Sequence, residues 1–258
     1  EADSEFVEQV FQDLGIDFTS ERVDILGYRK HHRLSLEDAC RQLRYKFLVH
    51  VAEKQQAENI ALGHNSNDQA ETVLMHIIRG SGLTGIRGMG LVTFHVVDGV
   101  KVRLVRPLLK SSKEDTINYC KELGLKPRRD ESNLSVEPSR NRVRIELLPL
   151  LEQFNPAVRN ALARLSQNAA QGVDYIESQI DTAWDKTVHQ TEDYITLKKD
   201  EFNRLDPAIQ SYLLRRAISL VKGNLNDVKK AHLENMADLM TGPAGRILHL
   251  PKGIRFSM

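Results

Sequence analysis

Asn59-Ile60-Ala61-Leu62-Gly63-His64-Asn65-Ser66-Asn67-Asp68-Gln69-Ala70-Glu71-Thr72 is the stretch whose reading decides the fold. Asn59 to Gly63 is a short apolar run closed by glycine, the pattern of a buried strand. Asp68 to Arg79 then carries apolar residues at helical spacing, so a strand passes almost directly into a helix. Upstream, residues 4–14 read as a helix opened by Ser4 and ended by Gly15. Ile16 to Val23 reads as a short strand, and Ser35 opens a further helix that runs to about Gln55. Helix, strand, helix, strand, helix is the rhythm of a parallel α/β sheet.

Downstream, residues 80–90 hold five glycines and form a loop able to approach a ligand closely. Leu91–Val97 and Val100–Val105 make a hairpin turned at Asp98-Gly99, and Lys113–Leu123 is an amphipathic helix. From about Arg140 the character changes to helical patterns over 142–153, 157–186, 207–222 and 226–241. The expected organisation is therefore an α/β domain over residues 1–155 and a mainly helical domain over 156–258. Ile247 to Gly253 reads as a strand entering a turn.

Hydrophobic residues at 41% and charged residues at 28% exclude a disordered or fibrous chain. No apolar run approaches the roughly 18–20 residues that cross a bilayer. The opening Glu1-Ala2-Asp3-Ser4-Glu5 is unlike a signal peptide, so a cytoplasmic protein without a membrane partner is expected. Cys40 and Cys120 are too far apart to form a CxxC site and read as buried thiols. The histidines are scattered, with His31 and His32 in a polar, arginine-rich loop, so no metal held by histidine is expected. The net charge is only +1, yet residues 101–159 carry 13 Lys and Arg against 8 Asp and Glu, enough for a local basic patch.

Two constellations could carry chemistry. Asp68 and Glu71 lie three apart on one helical face, just beyond a strand, where ligands of open α/β sheets bind. They could hold an ammonium group or a magnesium ion between them; equally, they could belong to a helix-capping box. The second is Asp130-Glu131-Ser132-Asn133 followed by Arg140-Asn141-Arg142-Val143-Arg144. Three guanidiniums at a helix start suit phosphate or carboxylate recognition, or else surface salt bridges.

The order His-x-x-x-Asp-Gln-x-Glu-Thr, Arg-Gly-x-Gly-Leu, Arg-Pro-Leu-Leu, Asp-x-Ser-Asn and Arg-Asn-x-x-Arg is similar to the N-type ATP pyrophosphatase (PP-loop) domain of the tRNA(Ile)-lysidine synthetases. Ala39-Cys40-Arg41-Gln42-Leu43-Arg44-Tyr45 also resembles a segment of that family. The family's Ser-Gly-Gly-x-Asp-Ser phosphate loop occurs nowhere in the sequence, so the amino-terminal part of the domain is expected to be missing, and Asn67 stands where the family often has an acidic residue.

The resemblance implies a Rossmann-like, adenine nucleotide alpha hydrolase-like sheet followed by a helical tRNA-binding domain. It also implies a carbon–nitrogen ligase. ATP, with Mg2+, would adenylate the wobble cytidine of an isoleucine tRNA with a CAU anticodon; free L-lysine would then displace AMP. By this resemblance Asp68, Glu71 and Arg142 are the catalytic candidates. Arg140, Arg144, Asp130 and Asn133 would meet lysine, phosphate or tRNA, and His64, Arg44 and Arg79 the nucleotide. A homodimer is compatible with it. Two other readings remain open here: a tRNA thiolation enzyme of the same superfamily, and a non-catalytic RNA-binding protein.

Overall fold

The computed structural model describes residues 2–127, 139–192, 194–223, 225 and 227–258. They fall into two compact units, Glu1–Ala170 and Gln171–Met258. The expected boundary near residue 155 lies in the connection before a long helix, whereas the division between the units lies inside that helix.

The first unit opens with α1 (Ala2–Asp13), followed by an extended stretch where a strand was expected. Residues 16–23 pair with no strand among the described residues. Phe18 packs instead on Phe11 of α1, ring centroids 5.8 Å apart, and Ile16 remains exposed. The polar loop expected around His31 and His32 is helical, α2 (Ile25–His32), because the Asp24 side chain caps it by accepting from the Gly27 N–H at 2.9 Å. Ser35 opens α3 (Leu36–Lys54) as expected. Cys40 is exposed and Cys120 half-buried, not the buried thiols expected. On α3 it is the neighbouring Ala39 that faces inward, and one residue along a helix turns the side chain by about 100°.

β1 (Asn59–Ala61) leads into α4 (Ser66–Ile78); the glycine loop holds the single turn α5 (Leu83–Ile86). β2 (Val92–Val97) and β3 (Val100–Val105) form the expected hairpin. Asp98 and Gly99 both take positive φ, 49° and 86°, the geometry that lets a two-residue turn match the strand twist. β3 lies in the middle, parallel to β1 and antiparallel to β2. Tyr45, Val49 and Ala52 of α3 cover one face of this sheet by packing on Ile60 and Leu104.

α6 (Lys113–Glu122) follows, then α7 (Ser139–Arg142), a π-helical segment Val143–Leu147 and α8 (Leu148–Phe154). Val143 and Leu148 pack on Ala70, Val73 and Leu74 of α4, with Leu162 of α9 (Val158–Thr187). The first unit is thus a Rossmann-like α/β fold in which α4, leading on from β1, packs against the arginine-bearing segment.

The second unit holds the carboxyl-terminal part of α9, the hairpin β4 (Val188–Gln190) and β5 (Ile195–Leu197), and α10 (Lys199–Asn203). α11 (Pro207–Lys222), α12 (Lys230–Thr241) and a last hairpin, β6 (Ile247–His249) and β7 (Arg255–Ser257), complete it. Phe202, Leu213, Leu214 and Met240 centre its own apolar core. No helix of the described residues is long and apolar enough to cross a membrane.

Candidate functional site

α4 begins where β1 ends, and its first turn is fixed from three directions. The Asn65 side chain accepts from the N–H groups of Asn67 and Asp68, at 3.0 and 3.1 Å. Asp68 Oδ2 accepts the Asn65 N–H at 3.0 Å, closing a capping box. Asn67 Oδ1 accepts the N–H of Lys113 at 3.0 Å, which ties α4 to the start of α6. The capping alternative is therefore real for Asp68, but it occupies only one of its carboxylate oxygens.

The other oxygen faces the arginines. Arg140 Nη2 donates to Asp68 Oδ1 at 3.2 Å, and Arg140 Nε to Glu71 Oε2 at 2.8 Å. Arg144 forks onto Glu71, with Nε on Oε1 at 2.6 Å and Nη2 on Oε2 at 2.9 Å. Glu71 is 1% exposed, so the desolvated carboxylate is held by two charge-assisted partners. Burial works to raise its pKa, and the hydrogen bonds and charges of Arg144 and Arg140 more than offset that, leaving it below the ordinary carboxylate value. Arg144 is correspondingly raised, chiefly by its hydrogen bond to Glu71.

His64 lies between β1 and this clamp. Its Nδ1 is buried without a hydrogen-bond partner in the structure. Its pKa is lowered, first by burial and then by the charges of Arg106, Arg140 and Arg44, against the opposing pull of Asp68. Burial and the neighbouring guanidiniums thus favour the uncharged imidazole over the charged one.

Four of the expected residues, Asp68, Glu71, Arg140 and Arg144, thus come together in direct contact, with His64 and Arg44 within electrostatic reach. Arg142 does not join them. It pairs with Glu146 at 3.3 Å on the exposed side and, with Arg79 at the end of α4, lines a separate cavity of about 420 Å³ floored by Met75, Leu147 and Leu150. Asp130 and Asn133 lie outside the described residues. No group of three His, Cys, Asp or Glu able to hold a metal occurs among the described residues, and the oxygens of Asp68 and Glu71 are already taken by N–H donors.

Two residues that the sequence showed only as members of motifs have roles it did not reveal. Arg106 is buried at the end of β3, where it donates to Gly90 O at 2.8 Å and Thr93 Oγ1 at 2.9 Å. Gln69, between the two carboxylates in sequence, faces the other way. Its amide donates to Met89 O at 3.1 Å and Ser166 Oγ at 2.7 Å and accepts the Met89 N–H at 2.8 Å, while Ser166 donates to Arg87 O. The glycine loop is thereby pinned to α4 and α9. The signal available in the sequence was weak: a polar residue on the apolar side of α4, with glycines some twenty residues later.

A capped helix at the carboxyl end of a parallel strand stands where open α/β sheets bind their ligands. The family model described as the PP-loop domain matches residues 1–151, and the chain belongs to that family. Among curated proteins it is similar to the tRNA(Ile)-lysidine synthase of Dehalococcoides mccartyi (strain CBDB1), with 36% identity covering 99% of this chain and 55% of the relative. The proteins of the same name from Geobacter sulfurreducens (36%, 98% of this chain and 53% of the relative) and Clostridium tetani (34%, 98% and 53%) are similar over the same extent. The chain spans about half the length of the curated relatives it matches.

Proposed function

We propose that this chain is part of a protein that carries out lysidine formation on tRNA: ATP adenylates the wobble cytidine of an isoleucine tRNA with a CAU anticodon, and the ε-amine of free L-lysine displaces AMP at C2, with diphosphate released in the first step. The observation that carries the reading is the extent of the similarity to lysidine synthases, which covers 98–99% of the chain and so includes both compact units.

The geometry supports the following roles for its residues. Glu71 positions the two arginines, because a buried carboxylate that accepts from both leaves each guanidinium little freedom to turn. Arg140 and Arg144 would then offer fixed N–H groups to an anion, either a phosphate of the adenylate or the lysine carboxylate. Asp68, the more exposed carboxylate, would meet the lysine ammonium through the lone pairs that its two N–H donors leave. Arg142 would act from the separate cavity that it shares with Arg79, and not from the clamp. Mg2+ would arrive with the triphosphate, since the donor set around Asp68 and Glu71 does not fit a resident divalent ion.

The full-length protein, given ATP, Mg2+ and radiolabelled lysine, should label isoleucine tRNA transcripts carrying CAU and leave a CAC control unlabelled. Folded protein that binds ATP yet transfers no lysine would overturn the reading, and sulfur transfer to the same tRNA would move it to thiolation.

A further inference from the structure

The second unit contains a cavity of about 410 Å³ that takes no part in the chemistry described above. Its wall is apolar, including Ile218 of α11, Met236 of α12 and Phe256 of β7. Tyr194, Lys252 and Arg255, all exposed, line its mouth, and among the described residues no carboxylate lines it. Neither Lys252 nor Arg255 has an ion-pair partner among the described residues. The volume lies in the range of sites that enclose a small organic ligand, about 300–1,000 Å³.

Two cations without an ion-pair partner among the described residues, at the mouth of a partly aromatic cavity lined mostly by apolar side chains, suit a flat body that carries an anionic group. Lys252 occupies its position at a backbone cost. It sits in the Pro251–Gly253 turn between β6 and β7 with φ 61° and ψ 33°, a left-handed conformation that costs energy for any residue with a Cβ. Glycine would adopt it freely, yet the position holds a cation directed to the cavity mouth.

We infer that this cavity is a binding site for an unpaired nucleotide of RNA, with the base in the apolar cleft against Tyr194 and Phe256 and its phosphates on Lys252 and Arg255. Unstacked bases are taken up on aromatic side chains with basic groups tracking the backbone, and that is the chemistry these residues offer. The inference rests on the reading of the chain as acting on tRNA, and it adds where in the second unit the RNA is gripped.

The test uses the whole protein with isoleucine tRNA transcripts containing photoreactive thiouridine, crosslinks being mapped by mass spectrometry. Crosslinks should fall in the peptide containing Tyr194. K252Q and R255Q should each weaken tRNA binding several-fold and lower the slope of log affinity against log salt by about 0.7–0.9. K252G should weaken binding equally while leaving thermal stability unchanged or raised, a split that a purely structural lysine would not produce. Affinity and salt slope unchanged in K252Q and R255Q, or crosslinks absent from the Tyr194 peptide, would overturn the site. Full tRNA affinity retained while excess AMP removes the crosslink would assign the cavity to free nucleotides and overturn the RNA assignment. A tRNA that crosslinks here but gains no lysine would leave the site standing and sink the ligase reading instead.

Discussion

Arg144 grips Glu71 through two parallel hydrogen bonds, Nε to Oε1 at 2.6 Å and Nη2 to Oε2 at 2.9 Å, and Glu71 is among the most buried side chains of the protein. Such a pair contributes less through its net attraction than through the cost of breaking it, because the partner left behind is charged and partly desolvated.

Glu71→Gln should therefore destabilise the first unit by about 2–4 kcal/mol, somewhat under the value for a fully buried pair because both arginines retain some solvent contact. Chemical denaturation read by circular dichroism measures this. A loss below ~0.5 kcal/mol would mean that the clamp is not formed in solution.

The same carboxylate sets a pH response. Its folded pKa lies below the ordinary 4.5, so the stability it contributes is fully present above that value and is lost as pH falls through the depressed folded value. Wild-type stability should decline below about pH 4.5 more steeply than that of Glu71→Gln. Parallel curves for the two proteins would contradict the assignment.

His64 should titrate by NMR with a midpoint below 6.5, the first cause being burial. Asp68→Asn removes the one neighbour that pulls the midpoint upward, so the variant should titrate lower still. An upward movement would show that Asp68 does not face the imidazole.

Arg144→Gln and Arg142→Gln should separate cleanly. The first opens the buried clamp and should cost about 2–4 kcal/mol. The second removes an exposed i,i+4 pair with Glu146 and should cost less than about 0.5 kcal/mol. Equal losses in thermal denaturation would refute the placement of the two side chains.

Gly88→Ala tests the glycine loop. Gly88 has φ +63°, and an added Cβ would lie 2.7–2.8 Å from the Gln69 amide atoms, so the Gln69 hydrogen bonds would have to give way. A destabilisation of about 1–3 kcal/mol is expected from the combined backbone and packing cost. Stability equal to wild type would show that the loop is not held by Gln69.

What could be read from the sequence was local. The run into α4 and the Asp98-Gly99 hairpin carry their own turn and capping chemistry, and both stand as expected. The strand expected over 16–23 failed because apolar content alone cannot supply a neighbour to pair with. α2 was hidden because its helix is set by one Asp24 side chain and buries no residue. At the site, Asp68 and Glu71 were visible as a pair, but their partners lie some seventy residues away. Choosing Arg140 and Arg144 over Arg142 was within reach of the sequence: residues four apart share a helical face and the one between them points elsewhere. The Gln69–Ser166 link, 97 residues apart, had no local signature at all.

Asp68 and Glu71 bring two negative charges to the clamp, Arg140 and Arg144 two positive ones, and the sum is zero. At the distance of a Debye length such a cluster exerts almost no field, so neither bulk salt nor an approaching polyanion senses it strongly. Only a group already within hydrogen-bond reach meets the individual N–H and oxygen atoms. Discrimination at this point is thereby left to shape and donor placement, while the work of drawing in a charged substrate falls to surfaces elsewhere on the chain.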